Sequence, residues 1–162
     1  MTTPIRYTTG DATHPEGEGD RPIIIAHIVN DVGAWGAGFV LAISKRWPST
    51  RSRYLMFHRN GMRRLRATQF MPVEPLVVVA NMCAQHGVGR DLDGKPPIRY
   101  DALHDCLSDV GDRAIDEGAE VHMPRIGCGL AGGTWEIVEP IIQETLADRG
   151  VQVVVYDYQA RP

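Results

Sequence analysis

The sequence has 162 residues, of which 43% are hydrophobic, a size and composition typical of one globular domain with its own core. Seventeen basic and twenty acidic side chains give a formal net charge of -3, which argues against a broad cationic field and so against duplex nucleic acid as a main partner. The three cysteines form no C-x-x-C pair, and no apolar stretch approaches the ~20 residues of a membrane span. We therefore expect one cytoplasmic domain over residues 1–162, monomeric, without a metal, a cofactor or a membrane partner.

Apolar runs bounded by turn residues predict six strands. They cover residues 5–8, 23–29, 70–73, 76–82, 121–123 and 151–156. The last run is β-branched nearly throughout, which is typical of a strand that is buried on both faces of a layered sheet. Segments 67–73 and 76–83, joined by Glu74-Pro75, predict a hairpin, so we expect a mixed sheet.

Helical periodicity predicts helices at residues 38–47, 49–59, 100–117 and 135–149. Pro48 cannot continue the first helix, and Gly118 and Gly150 stand where C-terminal caps belong. Surface loops are expected at residues 14–21, 60–66 and 87–97. Strands that alternate with helices indicate an α/β protein, a three-layer α/β/α sandwich around a central mixed sheet.

Two glycine-rich loops carry the first functional signal. The first loop, residues 27–38 (HIVNDVGAWGAG), and the second loop, residues 124–135 (PRIGCGLAGGTW), each follow a predicted strand and precede a predicted helix. Such a junction lets a ligand approach the backbone and points free N–H groups at it. One loop alone could simply be a tight turn, but two predict a phosphate-containing ligand at the C-terminal edge of the sheet. Trp35 and Trp135 are either core aromatics or pocket walls.

Five side chains near these loops could do chemistry, and each has a structural alternative. His27 is either a reactive imidazole or a hydrogen-bonded core histidine, and Asn30 either binds a ribose hydroxyl or braces the turn. Asp31 is either a general base or a loop carboxylate. Cys128 is best read as a small packing residue, whereas His86 could exchange protons near neutral pH.

The order of these pieces resembles that of macrodomains over nearly the whole chain, from Gly10-Asp11-Ala12-Thr13 to Val155-Tyr156. Within that family, the sequence resembles the branch of the terminal ADP-ribose protein glycohydrolase and the yeast ADP-ribose-1″-phosphatase. That similarity rests on H-x-x-N at residues 27–30, GAWG-x-G at residues 33–38 and MPRIGCGL at residues 123–130. The resemblance is stronger still to small actinobacterial macrodomain proteins, which share ANM at residues 80–82, QHG at residues 85–87 and PPIRY at residues 96–100.

The resemblance implies ADP-ribose, or a macromolecule that carries it, as the ligand. Asp11 would accept the amine of adenine, the Ala12 N–H would reach the ring, and Tyr158, expected just past the last strand, would cover it. The distal ribose and the diphosphate would lie between the two loops. The residues implied are Trp35, Gly36, Ala37 and Gly38 in the first loop and Ile126, Gly127, Cys128, Gly129 and Leu130 in the second.

One departure from that branch affects the expected chemistry. The glycohydrolase uses a lysine after the fourth strand and an acid in the second loop, and this sequence has Cys83-Ala84 and Ala131 there. The resemblance to the phosphatase instead implies that His27 and Asn30 orient a water or the terminal phosphate, with Asp31 as a further catalytic candidate. We therefore expect hydrolysis of the bond between the distal ribose and the group attached to it, which is a protein carboxylate, a phosphate or a nucleic-acid base.

Two alternatives belong to other functional classes. Without the lysine, the chain could be a reader that binds ADP-ribose or mono-ADP-ribosylated targets and does not cleave them. A dinucleotide-dependent oxidoreductase is disfavoured, because the first loop has no G-x-G-x-x-G pattern.

Overall fold

The structure, a computed structural model, describes residues 2–61 and 64–159. Met62 and Arg63 of the expected loop at 60–66 lie outside the described residues, as do Met1 and residues 160–162. Ten helices and strands follow in chain order. They are β1 (Ile5–Gly10), β2 (Ile23–Asn30), α1 (Phe39–Arg46), α2 (Ser49–Arg59), β3 (Thr68–Glu74), β4 (Val77–Gln85), α3 (Tyr100–Glu117), β5 (Glu120–Pro124), α4 (Trp135–Thr145) and β6 (Val153–Tyr158).

The six strands form one sheet in the order β1-β6-β5-β2-β4-β3. β3 runs antiparallel to β4, and every other neighbouring pair is parallel. This confirms the predicted hairpin and the mixed sheet. The two central strands β2 and β4 are almost wholly buried, as expected for strands that are covered on both faces.

Helices cover both faces of the sheet and separate the core into two main layers. On one face, Ile25 and Val29 of β2 pack with Trp35, Ile43 of α1 and Tyr54 of α2. On the other face, the apolar sides of α3 and α4 pack against alternate residues of the same strands. The predicted three-layer α/β/α sandwich is confirmed.

Several boundaries differ from the prediction by one to four residues, and two of them have a visible cause. α4 ends at Thr145 instead of Arg149, because Leu146 leaves the helical region with φ -121 and a short 3-10 turn, Ala147–Arg149, follows. β6 begins two residues later than expected and continues to Tyr158, which pairs with Gly10 of β1. Tyr158 is therefore the last residue of the strand, because the register with β1 extends the sheet to that point.

Parallel strands place both glycine-rich loops at one edge of the sheet. β2 leads into the first loop and β5 into the second, and the two strands are neighbours. Within the described residues, no helix is long and apolar enough to cross a membrane. The same residues contain no cluster of three or more His, Cys, Asp or Glu side chains that could hold a metal ion.

Candidate ligand cleft

A cavity of about 540 Å³ opens between the two glycine-rich loops, and we call it the loop pocket. His27, Asn30 and Ala34 line it from the first loop, and the following residues 36–40 complete that wall. The opposite wall consists of residues 124–127 and 129–131 of the second loop. Gln85, the last residue of β4, and Val88 and Gly89 just after it close one end.

A second cavity of about 780 Å³ lies between the end of β1 and helix α1, and we call it the β1 pocket. Gly38, Phe39 and Pro124 line both cavities, so the two pockets form one continuous cleft. The remaining described residues that line the β1 pocket are Gly10, Asp11, Ala12, Thr13, His14, Leu41, Ala42, Lys45, Arg46, Tyr156 and Tyr158.

The junction between the pockets depends on glycine geometry. Gly38 caps α1 with φ 82, a left-handed conformation that favours glycine, and leaves the first N–H groups of the helix facing the cleft. A Cβ atom on Gly38 would lie 3.4 Å from Leu130 Cδ1, so the two loops meet closely here. In the second loop, a Cβ on Gly133 would lie 2.6 Å from the carbonyl oxygen of Gly127. The backbone can follow this path only without that side chain.

His27 lies under the loop pocket and is 2% exposed. The amide nitrogen of Asn81 donates to Gln69, so its Oδ1 is the acceptor and His27 Nε2–H donates to it. His27 Nδ1 is then a lone-pair acceptor, and it is buried without a hydrogen-bond partner among residues 2–61 and 64–159. Burial lowers the pKa of His27 to about 4, against the opposing effect of the bond to Asn81. The imidazole is therefore neutral at neutral pH.

The Asn30 side chain braces the first loop. Its Oδ1 accepts hydrogen bonds from the N–H groups of Val32 and Ala34 and from the Tyr54 hydroxyl, at 3.1, 3.0 and 3.2 Å. Its Nδ2 donates to the Ala34 carbonyl at 2.8 Å. The amide thus holds the bend that shapes the loop pocket, which is the second of the two roles considered for it.

The Asp31 carboxylate pairs with His86 at the rim of the cleft. His86 Nδ1–H donates to Asp31 Oδ2 at 2.7 Å, and the Gly87 N–H donates to Oδ1 at 2.8 Å. Partial burial works to raise the pKa of Asp31, but these two hydrogen bonds outweigh it and the pKa is lowered. Asp31 is therefore an anion that orients His86, and the Asp31 side chain is not part of the pocket lining.

Two other candidates lie behind the cleft surface. Trp35 is 5% exposed and packs in the core, with its ring centroid 4.8 Å from that of Tyr54 and 5.9 Å from that of His27. Its Nε1–H donates to Ser44. Cys128 is half-buried and does not line the loop pocket, and burial raises the pKa of its thiol. Both residues shape the loops from behind.

Asp11 begins the loop that forms one wall of the β1 pocket. Its Oδ1 accepts hydrogen bonds from the N–H and the hydroxyl of Thr13, at 2.9 and 2.7 Å. Arg46 of α1 donates to the Thr13 carbonyl and forms an ion pair with Glu18. Helix α1 thus supports the junction at its first residue and the Asp11 loop at its last.

A buried polar chain lies under the β1 pocket. The Tyr156 hydroxyl accepts from the Glu16 N–H at 2.9 Å and donates to His122 Nδ1 at 2.7 Å. His122 Nε2–H donates to Glu120, which pairs with Arg21. Burial lowers the pKa of His122, against the opposing effect of Glu120, so the imidazole is neutral. This chain connects the pocket floor with the loop after Asp11.

Known proteins resemble this chain in sequence and in structure. A macrodomain protein structure from Streptomyces coelicolor is 48% identical, with a TM-score of 0.82, and the match covers 96% of this chain and 100% of that one. The chain belongs to the macrodomain family. No family model matches it.

The curated relatives of this macrodomain differ in length. Chromodomain-helicase-DNA-binding protein 1-like from Danio rerio is 32% identical over 165 residues, which is 97% of this macrodomain and 16% of the relative. The macrodomain thus spans about a sixth of that protein. ADP-ribose 1″-phosphate phosphatase from Candida albicans is 27% identical over 152 residues, which is 86% of this macrodomain and 92% of the phosphatase.

The sequence did not predict several of the residues that line the cleft of this macrodomain. Phe39, directly after Gly38, lies at the junction of the pockets, and its position at the start of a helix could have shown this. Gln85, Val88 and Tyr156 gave no such signal, because they come from the end of β4, the loop after it and the last strand. Only the order of the strands brings them to the cleft.

Proposed function

We propose that this macrodomain binds ADP-ribose along the whole cleft and hydrolyses a bond at the distal ribose. One observation carries the proposal: two pockets join at Gly38, Phe39 and Pro124, where helix α1 begins. ADP-ribose has the same division, with adenosine at one end, a ribose at the other and a diphosphate between them. The similarity to an ADP-ribose 1″-phosphate phosphatase supports the choice of ligand.

Adenosine fits the β1 pocket. Oδ1 of Asp11 is engaged by Thr13, so Oδ2 is the atom proposed to accept the exocyclic amine of adenine. Tyr158, which is 71% exposed, and Tyr156 offer ring surface on which the base can pack. Ala12 is buried beside them and limits the depth of the pocket.

The diphosphate fits the junction. Residues 36–38 and the start of α1 supply N–H groups on one side, and residues 126–130 supply backbone on the other. Arg125 is the one charged residue among the described residues of the loop pocket, and its guanidinium pairs with Asp157. Recognition of the phosphates is therefore assigned to peptide groups.

The distal ribose fits the loop pocket above His27. In the proposed reaction a water oxygen bonds to the anomeric carbon, and the bond from that carbon to the departing oxygen or nitrogen breaks. His27 Nδ1 is buried without a partner among the described residues, so the proposal requires the first loop to shift on substrate binding and expose this atom to the water. Nδ1 then accepts a hydrogen bond from the water and orients it, but its low pKa makes it a poor final base. The water proton passes to the diphosphate of the substrate, and the departing group leaves with the bonding electrons.

Asn30 and Asp31 take supporting roles in this proposal. Asn30 holds the bend that places residues 34–38 along the substrate. Asp31 fixes the ring of His86 through Nδ1, so that Nε2 is left to exchange a proton at the rim with the departing group.

A reader is the second candidate, and one observation favours it. No Lys, Asp or Glu side chain lines the described part of the loop pocket, so no strong nucleophile or carboxylate base faces the anomeric carbon. A reader would use the same cleft and release its ligand unchanged.

Turnover separates the two candidates. The protein is incubated with carboxylate-linked ADP-ribosylated protein and with ADP-ribose-1″-phosphate, and released ADP-ribose is measured. His27→Gln is the informative variant, because glutamine keeps a donor to Asn81 and removes the Nδ1 acceptor. The proposal expects turnover that falls at least tenfold in this variant while ADP-ribose affinity stays within about threefold. Binding without turnover of either substrate by the unaltered protein would favour the reader.

A further inference from the structure

The basic residues of this chain are concentrated in one segment. No acidic residue occurs from residue 32 to residue 73, although the whole chain has a net charge of -3. Eight of the seventeen basic residues fall in that stretch, namely Lys45, Arg46, Arg51, Arg53, Arg59, Arg63, Arg64 and Arg66. The net charge of the whole chain is negative, but the segment that contains α2 is strongly cationic.

The structure separates the paired cations from the unpaired ones. Most arginines elsewhere are neutralised, as Arg113 is by Glu117 and Arg149 by Asp112. Within the part of the chain that the structure describes, Arg51, Arg59 and Arg64 form no ion pair, and all three are exposed. We call these three residues the basic strip.

The basic strip leads toward the cleft. In α2, Arg53 donates to the Pro72 carbonyl at 2.9 Å, and the hydroxyl of the next residue, Tyr54, reaches the Asn30 carbonyl at 3.0 Å. In the last turn, the His58 ring packs against Gly33 of the first loop. Arg51 and Arg59 are about 12 Å apart along the helix axis at ~1.5 Å per residue. The strip thus runs up to the edge of the sheet that carries the loop pocket.

The composition of this surface distinguishes among anionic partners. The other exposed residues of α2 are Ser49, Ser52 and Met56, and Phe57 and His58 are half-exposed, so polar and basic side chains make up most of the exposed part of this surface. Protein interfaces depend on buried aromatic and apolar anchors, whereas nucleic-acid interfaces are more polar and more positive. Guanidinium groups bind phosphate oxygens through paired hydrogen bonds, and serine hydroxyls add further donors.

We propose that the basic strip binds the phosphodiester backbone of a nucleic acid, without base specificity, beside the mouth of the loop pocket. Charges act over about 10 Å at ordinary ionic strength, so the local cations decide the contact and the acidic remainder of the surface does not. The proposal does not depend on ADP-ribose. It departs from the expectation that net charge alone suggested.

Fluorescence anisotropy tests the proposal with a labelled oligothymidylate of about 20 nucleotides and a duplex of the same length, over a range of salt concentrations. The strip variant is Arg51→Gln with Arg59→Gln. The control variant, Arg113→Gln with Arg149→Gln, removes the same charge from the opposite layer. Thermal melts check that both variants fold, and ADP-ribose titration checks the cleft separately.

We expect the strip variant to bind the oligonucleotides at least about fivefold more weakly. The slope of log affinity against log salt concentration should become shallower by about 1.4 to 1.8, as the loss of two phosphate contacts predicts. The control variant should keep both values, and ADP-ribose affinity should not change in either. Equal losses in the two variants, no binding of either oligonucleotide, or equal competition by polyglutamate would each overturn the proposal. A failure to bind ADP-ribose would instead overturn the proposed function.

Discussion

The two pockets of the cleft differ in the groups that line them. The loop pocket is formed by two backbone bends whose shape requires glycine, with His27 beneath them. The β1 pocket is formed by side chains that hydrogen bonds hold in place, such as Asp11 with Thr13 and Tyr156 with His122. The loop pocket should therefore be sensitive to volume added where its bends approach each other closely, and the β1 pocket to a change of donor or acceptor.

The largest effect is expected from added volume in the second loop. In Gly133→Ala the new Cβ would lie 2.6 Å from the Gly127 carbonyl oxygen, so the loop must move. We expect ADP-ribose affinity to fall more than about 100-fold and stability to fall by about 1 to 3 kcal/mol. Calorimetry and thermal unfolding measure the two changes.

Gly129→Ala is the matched control for that substitution. A Cβ on Gly129 meets no atom within 4 Å, so its stability should stay within about 0.5 kcal/mol of the unaltered protein. Equal stability of the two variants would show that the bend tolerates side chains and would remove the contrast between the pockets.

The second expectation concerns pH. Unfolded histidine takes up a proton as pH falls through about 6.5, whereas folded His27 resists protonation until about 4. The free energy of unfolding should therefore fall as pH falls through this window, with His27 contributing about 3 kcal/mol. Urea unfolding between pH 7 and 4 should give a flatter profile for His27→Gln. If the unfolding free energies of the two proteins change in parallel with pH, the pKa of His27 is the same in the folded and the unfolded protein.

The third expectation concerns the choice of base in the β1 pocket. Asp11→Asn can keep the bond from Thr13 while replacing the proposed acceptor by a donor. The affinity for ADP-ribose should fall about 10-fold. The inosine counterpart of ADP-ribose presents a carbonyl in place of the amine, so its affinity should rise relative to that of ADP-ribose. Equal losses for both ligands would place the base elsewhere.

The smallest effect is expected from Tyr156→Phe, which keeps the ring and removes the hydroxyl between Glu16 and His122. A buried acceptor on His122 then lacks its donor, so stability should fall by about 1 to 2 kcal/mol and ADP-ribose affinity about threefold. Tyr7→Phe, at an exposed hydroxyl, is the comparison in a thermal unfolding assay. A larger loss in Tyr7→Phe would contradict the role of the buried chain.

The loop pocket was easier to predict from sequence than the β1 pocket. Its two loops are local patterns, each a strand, a glycine run and a helix, and parallel strands bring them together. The contacts of Tyr156 with Glu16 and His122 span 140 and 34 residues and leave no local pattern. Such contacts follow from strand order, which the sequence shows only in part.

Side-chain roles were harder to predict than positions. Asn30 and Asp31 stand at a strand end, as expected, but their roles depend on Ala34, Gly87 and His86. Trp35 was a plausible pocket wall, yet Tyr54 and His27 draw its ring into the core. Partners distant in sequence decide whether a polar or aromatic side chain faces a ligand.

Calorimetric titration of ADP-ribose, AMP and ribose-5-phosphate tests most directly whether one ligand spans both pockets. We expect one ADP-ribose per chain, bound at least about 100-fold more tightly than either fragment, because linking the two halves makes the second contact intramolecular. Equal affinity for ADP-ribose and AMP, or no heat with ADP-ribose, would contradict it.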